Sequence, residues 1–286
     1  MGSVGDFIRL SRPHFLLGGF LMFGLGAATA DGLVAAGYVL GQTMVTCAQV
    51  TAHYVNEYAD VEPDKAVQNR TLFSGGSGML VSSLAPTVAW RAAWVSTALA
   101  VVFAGALVVH SPAAAGLGLL ALAVSWAYSM PPIRLLNTGW GELATSLVVV
   151  GLVPLIGSLS QGGPLTAELA WSIAILVPVH MAMMLAFEIP DLVTDAEVGK
   201  TVLAVRIGQR WTEQAILALL ALSALVAVVG AAVIGRPGVA LWSWGVLMPT
   251  AAVVSYALRT ERHGLLTLSA VGALAGVGGG LLVVVA

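Results

Sequence analysis

The stretch NEYADVEPDKAVQNRTLFSGGSGML, residues 56–80, decides how this chain is read. It gathers Asn56, Glu57, Asp60, Glu62 and Asp64 in a sequence that is 58% hydrophobic and 9% charged. A solvated loop accounts for single charges but not for their spacing. Asn56, Asp60 and Asp64 fall at i, i+4 and i+8. On a helix those positions share one face, each step about 6 Å along the axis. Like charges so placed repel unless a cation sits between them. Pro63 disfavours helix around it, which puts Asp64 at or just past the helix end.

The surroundings are apolar. Mean hydropathy is +0.94, and about 20 apolar residues span a bilayer as a helix. Apolar runs at 14–30, 33–57, 87–109, 113–130, 143–160, 167–189, 212–234, 238–258 and 264–285 predict nine transmembrane helices. The fold class is therefore an all-α integral membrane protein. The alternating ten-residue segments of a β-barrel are missing. The N-terminus MGSVGDFIRLSRPHF runs into a long apolar helix without a small-residue cleavage site, so it reads as a retained first span. Cys47 is the one cysteine, which excludes a disulfide framework and a CxxC metal site. A net charge of −2 offers no basic field for nucleic acid.

The basic residues choose the orientation. With the N-terminus inside, Arg9, Arg12, Lys65, Arg70, Arg91, Arg134, Lys200, Arg206, Arg210, Arg259 and Arg262 fall on the cytoplasmic side, and Arg236 falls outside. This is a positive-inside pattern. It predicts a multi-pass protein of the cell membrane, with N-terminus and acidic loops cytoplasmic and C-terminus outside.

A second acidic cluster, FEIPDLVTDAEVGKT, follows the sixth apolar run and carries Glu188, Asp191, Asp195 and Glu197. Asp191 and Asp195 repeat the i, i+4 step, and Pro190 should kink the helix. The offset of four helices predicts one domain over 1–286, with pseudo-repeat halves at about 1–141 and 142–262. Two four-helix halves plus a ninth helix would then surround a central apolar cavity. Donors that are all oxygen suit a hard ion such as Mg²⁺, which takes one or two carboxylates plus substrate phosphates. A third element, AYSMPPIRLLNTGWGEL (127–143), places Tyr128, Ser129 and Arg134 on the same side.

Together these motifs resemble the UbiA superfamily of intramembrane prenyltransferases, which includes aromatic prenyltransferases and UbiA-type terpene cyclases. Asn56, Asp60 and Asp64 match its NxxxDxxxD motif, and Asp191 and Asp195 its DxxxD motif. GKTVLAVRIG and YSMPPIRL resemble two further segments. The resemblance implies an isoprenyl diphosphate with its head at the acids, its tail among the helices, and Mg²⁺ held by Asn56, Asp60, Asp64, Asp191 and Asp195. It implies diphosphate contacts from Lys65, Arg70, Arg134, Lys200 and Ser129. Asp60, Asp191, Tyr128 and Glu188 would be catalytic, Tyr128 offering its ring face to a carbocation. Phe187 stands where many relatives carry Asn, and Glu188 is a metal-site participant or a base.

Transfer to an aromatic or quinone-precursor acceptor is the favoured reaction. Cyclisation without an acceptor is the alternative. An ion-coupled transporter is disfavoured, because the charges lie at helix ends rather than at the midplane. SGGSG (74–78) is not a P-loop and is expected to be a flexible lid. His53 and His180 could face the cavity, against the commoner reading of buried structural histidines. Gly18, Gly19, Gly24 and Gly26 mark close packing or cavity space in the first span.

Overall fold

The computed structural model describes residues 2–65, 67 and 70–285. Among them there is no strand. Nine principal helices appear: α1 (Pro13–Ala27), α2 (Ala35–Ala59), α3 (Pro86–Val108), α4 (Pro112–Ser129), α5 (Gly141–Ser160), α6 (Ala167–Glu188), α7 (Gln209–Ile234), α8 (Pro237–Arg259) and α9 (His263–Val285). Their ends fall within about three residues of the hydropathy reading. Seven of them, α3 to α9, are long and apolar enough to cross a membrane. The expected count of nine spans is not met on that measure. Helix α1 is short, and α2 carries Gln42, Gln49, His53, Asn56 and Glu57 within its 25 residues.

Local chemistry sets several ends. Pro86, Pro112 and Pro237 open α3, α4 and α8, where the missing N–H is no loss. Gly235 closes α7 at φ 69°. Pro63 acts one turn earlier than expected. A continuous helix would drive its ring into the Ala59 carbonyl. Helix α2 therefore stops at Ala59, Asp60 is the junction, and a short helix Val61–Asp64 follows. Pro190 likewise ends α6 at Glu188 rather than kinking it, and Asp191 caps Leu192–Glu197. Both acidic motifs thus sit on broken helices.

Six helices, α1, α2, α4, α5, α6 and α9, form a ring around a cavity. Helices α3, α7 and α8 pack outside it and supply no lining residue. The ninth helix is a wall of the cavity, as expected of a helix placed around it. Small residues let the ring close. A Cβ at Gly26 would strike the Pro154 carbonyl, and one at Gly157 the Phe23 carbonyl. Backbones of α1 and α5 thus touch directly, as small residues allow in membranes. Gly157→Leu should destabilise the detergent-solubilised protein by about 1–3 kcal/mol, read as a lower thermal midpoint. An unchanged midpoint would show that the crossing can open without cost. Polar side chains tie outer helices to inner ones: Trp126 Nε1 donates to Thr97 Oγ1 at 2.9 Å, and Ser223 Oγ to the Ile175 carbonyl at 2.9 Å.

Candidate active site

The cavity holds about 380 Å³. At one end lie Asn56, Asp60, Asp64, Glu188, Asp191, Asp195 and Lys200; the rest is largely apolar, including Val45, Ala48, Val148, Val149 and Leu274. The two acidic motifs, more than a hundred residues apart in sequence, meet through Lys200. Its Nζ lies 3.2 Å from Asp60 Oδ2 and 3.3 Å from Asp195 Oδ1. Burial lowers the Lys200 pKa, but Asp60 and Asp195 outweigh it and raise it overall.

On the first motif, Asn56 Nδ2 donates to Asp60 Oδ2 at 3.1 Å and reaches Ser129 Oγ at 3.4 Å. Arg134 Nη2 stands 4.0 Å from Asp60 Oδ1, an oxygen that is buried without a hydrogen-bond partner. Asp64 is buried, and Arg70 holds it through the backbone carbonyl at 2.5 Å and the carboxylate at 3.7 Å. Burial, then Glu57 and Asp60, push the Asp64 carboxyl up to about 7. On the second motif, burial and then Asp195 push Asp191 up to about 6. Burial also raises Asp195, against the pull of Lys200.

Most of the predicted residues converge. Tyr128 and Glu188 line the cavity, and Ser129 is buried beside Asn56. Lys65 is not brought in. It is exposed and paired with Glu62 at 2.6 Å. Arg70 and Arg134 contact the acids from outside the cavity lining. Among the described residues, no three His, Cys, Asp or Glu side chains close on one point as a metal cage would.

The sequence reading missed several supports. Glu57 accepts from Ser77 N at 2.7 Å and from Ser77 Oγ at 2.5 Å, and Arg12 Nη1 lies 3.9 Å from it. The SGGSG loop is thus fastened rather than loose. Gly76, at φ 67°, lies so close that a Cβ would strike the Asp64 carboxylate, and the Gly75 N–H lies near Asp191 and opposes the rise of its pKa. The loop therefore touches both motifs. Phe73 on its edge stacks on Phe187, with centroids 5.6 Å apart, and Phe15 meets both rings. Glu142 is fully buried. Its Oε1 accepts from Leu203 N at 2.9 Å, while Glu188 Oε2 accepts from Ala204 N at 3.0 Å. These are the first two N–H groups of a short helix, Leu203–Ile207, which would otherwise lack partners. Thr201 and Arg206 bond the Asn137 carbonyl, so the GKTVLAVRIG run is docked just after Lys200.

The UbiA prenyltransferase family model matches residues 16–266, and the chain belongs to that family. No curated protein sequence matches it at a significant level. Among solved structures it is similar to a UbiA homolog from Archaeoglobus fulgidus bound to DMAPP and Mg²⁺, with TM-score 0.72 and 15% identity over 95% of this chain and 99% of that one. It is also similar to the apo UbiA homolog from Aeropyrum pernix K1, with TM-score 0.69 and 18% identity over 94% and 98%. A structure of digeranylgeranylglyceryl phosphate synthase gives TM-score 0.67 and 12% identity over 99% and 98%. At these identities the likeness is one of fold.

Proposed function

We propose that this protein is an Mg²⁺-dependent intramembrane prenyltransferase that ionises an allylic isoprenyl diphosphate and passes the prenyl group to an aromatic acceptor. The observation that carries this reading is the meeting of two acidic motifs across one lysine at the polar end of an apolar cavity. Solved relatives hold DMAPP or GPP with Mg²⁺, and the donors here fit such an ion. Asp60 Oδ1 has no hydrogen-bond partner among the described residues, Lys200 stands in as a cation between the motifs, and burial raises Asp64 and Asp191. Divided carboxylates without a closed cage suit Mg²⁺, whose remaining positions go to phosphate and water. Asn56, Asp60, Asp64, Asp191 and Asp195 would hold it, and it would neutralise the diphosphate as that group leaves.

The chain's own residues do the rest. Lys200, Arg70 and Arg134 offset the charge of the leaving group. Tyr128 presents its ring to the allylic cation. Phe15, Phe73 and Phe187 keep water from the mouth. The same aromatic wall favours a second reading, cyclisation, since a shielded cation can also close on its own chain. The deciding test supplies Mg²⁺ and a C10–C20 allylic diphosphate, with and without a hydroxylated aromatic acid. A C-prenylated product that needs the acceptor is expected. A cyclic terpene formed at a rate no acceptor improves would replace transfer by cyclisation.

We also infer that the acidic mouth faces the cytoplasm. Cys47 is buried, so single added cysteines report cleanly. Positions 59–85 and 131–142 should label from the cytoplasm and position 162 from outside. The reverse pattern would invert the orientation.

A further inference from the structure

Glu188 is engaged at one oxygen and faces another carboxyl. It accepts from Ala204 N, and its carboxyl meets that of Glu142. The cavity wall carries another basic atom. His180 stands on α6 eight residues before Glu188, about 12 Å along the axis, and it lines the cavity. Its Nδ1 lies 2.9 Å from Ser146 Oγ, and that oxygen lies 2.7 Å from the Glu142 carbonyl. A carbonyl can only accept, and a serine hydroxyl has one hydrogen. That hydrogen goes to Glu142 O, so Nδ1 carries a hydrogen and donates it to Ser146. The lone pair of the neutral ring is then on Nε2. The hydrogen-bond network fixes this tautomer. Nε2 has no hydrogen-bond partner among the described residues, yet it is not sealed off as Asp60 Oδ1 and Glu142 Oε2 are. The neighbouring lining positions on the same helix, Met183 and Met184, are apolar. Arg12 and Lys200 are the only Arg or Lys among the lining residues described, and both pair with carboxylates.

We propose that His180 Nε2 is the general base for the second substrate, a phenol or hydroquinone held in the cavity below the diphosphate. This rests on the prenyl-transfer reading above and deepens it. The C1–O bond of the allylic diphosphate breaks, and its electron pair leaves with diphosphate. The ring carbon beside the hydroxyl forms the new bond to C1 while the O–H proton moves to Nε2, giving a cyclohexadienone. The ring C–H proton then passes to the released diphosphate, and Nε2 returns its proton to the oxygen. The aromatic ring and the neutral histidine are both restored, and one proton leaves with each diphosphate.

The test uses the full-length protein in detergent or liposomes with Mg²⁺ and a C10 allylic diphosphate. Acceptors are hydroquinone and 4-hydroxybenzoate, each beside the analogue with its hydroxyls methylated. The native protein should prenylate a phenol and leave its ether untouched. His180→Gln keeps a polar amide but has no basic nitrogen. It should lower kcat for the phenol about 10²-fold, the scale of general base catalysis, with the KM for diphosphate unchanged within about twofold. Ser146→Ala should cost less, about threefold to tenfold, because the ring stays but its tautomer is no longer held. Ether prenylated as fast as phenol would overturn the proposal without any variant. So would His180→Gln working within threefold of the native protein. A cyclic terpene with no prenylated acceptor would overturn both this proposal and transfer, and no release of diphosphate at all would overturn ionisation itself.

Discussion

Asp60→Ala should lower turnover about 10²-fold or more, and Asp191→Ala should do the same. Each removes one major charge contact at the leaving group, the scale of losing one preorganised transition-state partner. Asp60 binds Asn56 and Lys200 and stands beside Arg134. Its loss would leave Lys200 with Asp195 alone and take one side from the meeting of the two motifs. Asp191 stands at the start of Leu192–Glu197 with the Gly75 N–H nearby, so its loss weakens the hold on the glycine loop as well. Neither residue belongs to the apolar core, so both variants should remain folded, as a thermal midpoint would show. An effect below about threefold in both variants would refute the assignment of the acids.

Removal of divalent metal should abolish turnover altogether, and Mg²⁺ should restore it. The cavity is lined by Asp60, Asp64, Glu188, Asp191 and Asp195 against Arg12 and Lys200. A diphosphate adds roughly three further negative charges. Each like pair at 4 Å costs about 4 kcal/mol at an effective dielectric near 20. Lys200, Arg70 and Arg134 already stand beside carboxylates, so they offset only part of that charge. EDTA followed by a metal titration checks this, and full activity in metal-free buffer would sink the proposed site.

Much of this was legible along the chain because hydropathy and i, i+4 spacing are local signals. The nine apolar runs found their helices, and Asn56, Asp60, Asp191 and Asp195 found the cavity. What stayed hidden was the partner of each group. Arg12 reaches Glu57, Glu142 reaches Leu203, and Lys200 reaches Asp60, each across a wide sequence gap. Nothing in local spacing encodes such pairings. Lys65 shows the same limit: it is next to Asp64 in sequence, but its side chain points out to Glu62. Pro63 was read as a breaker, yet its reach back to Ala59 moved the break a turn and left Asp60 at the junction. Glu142 had one available signal, a carboxylate at the start of an apolar run.

Lys200, lying between Asp60 and Asp195, has a consequence for the whole catalytic cycle. Under the proposed mechanism it would be a tethered competitor for the ion. A metal held by the proposed set would share its carboxylates with an ammonium that never diffuses away, so its affinity would sit below what the four aspartates alone would give. In the proposed mechanism the same ammonium would be waiting when diphosphate departs, and its return to the carboxylates would favour release of ion and product together. A protein that bound its metal without this rival would hold diphosphate as an inhibitor of its own next turnover.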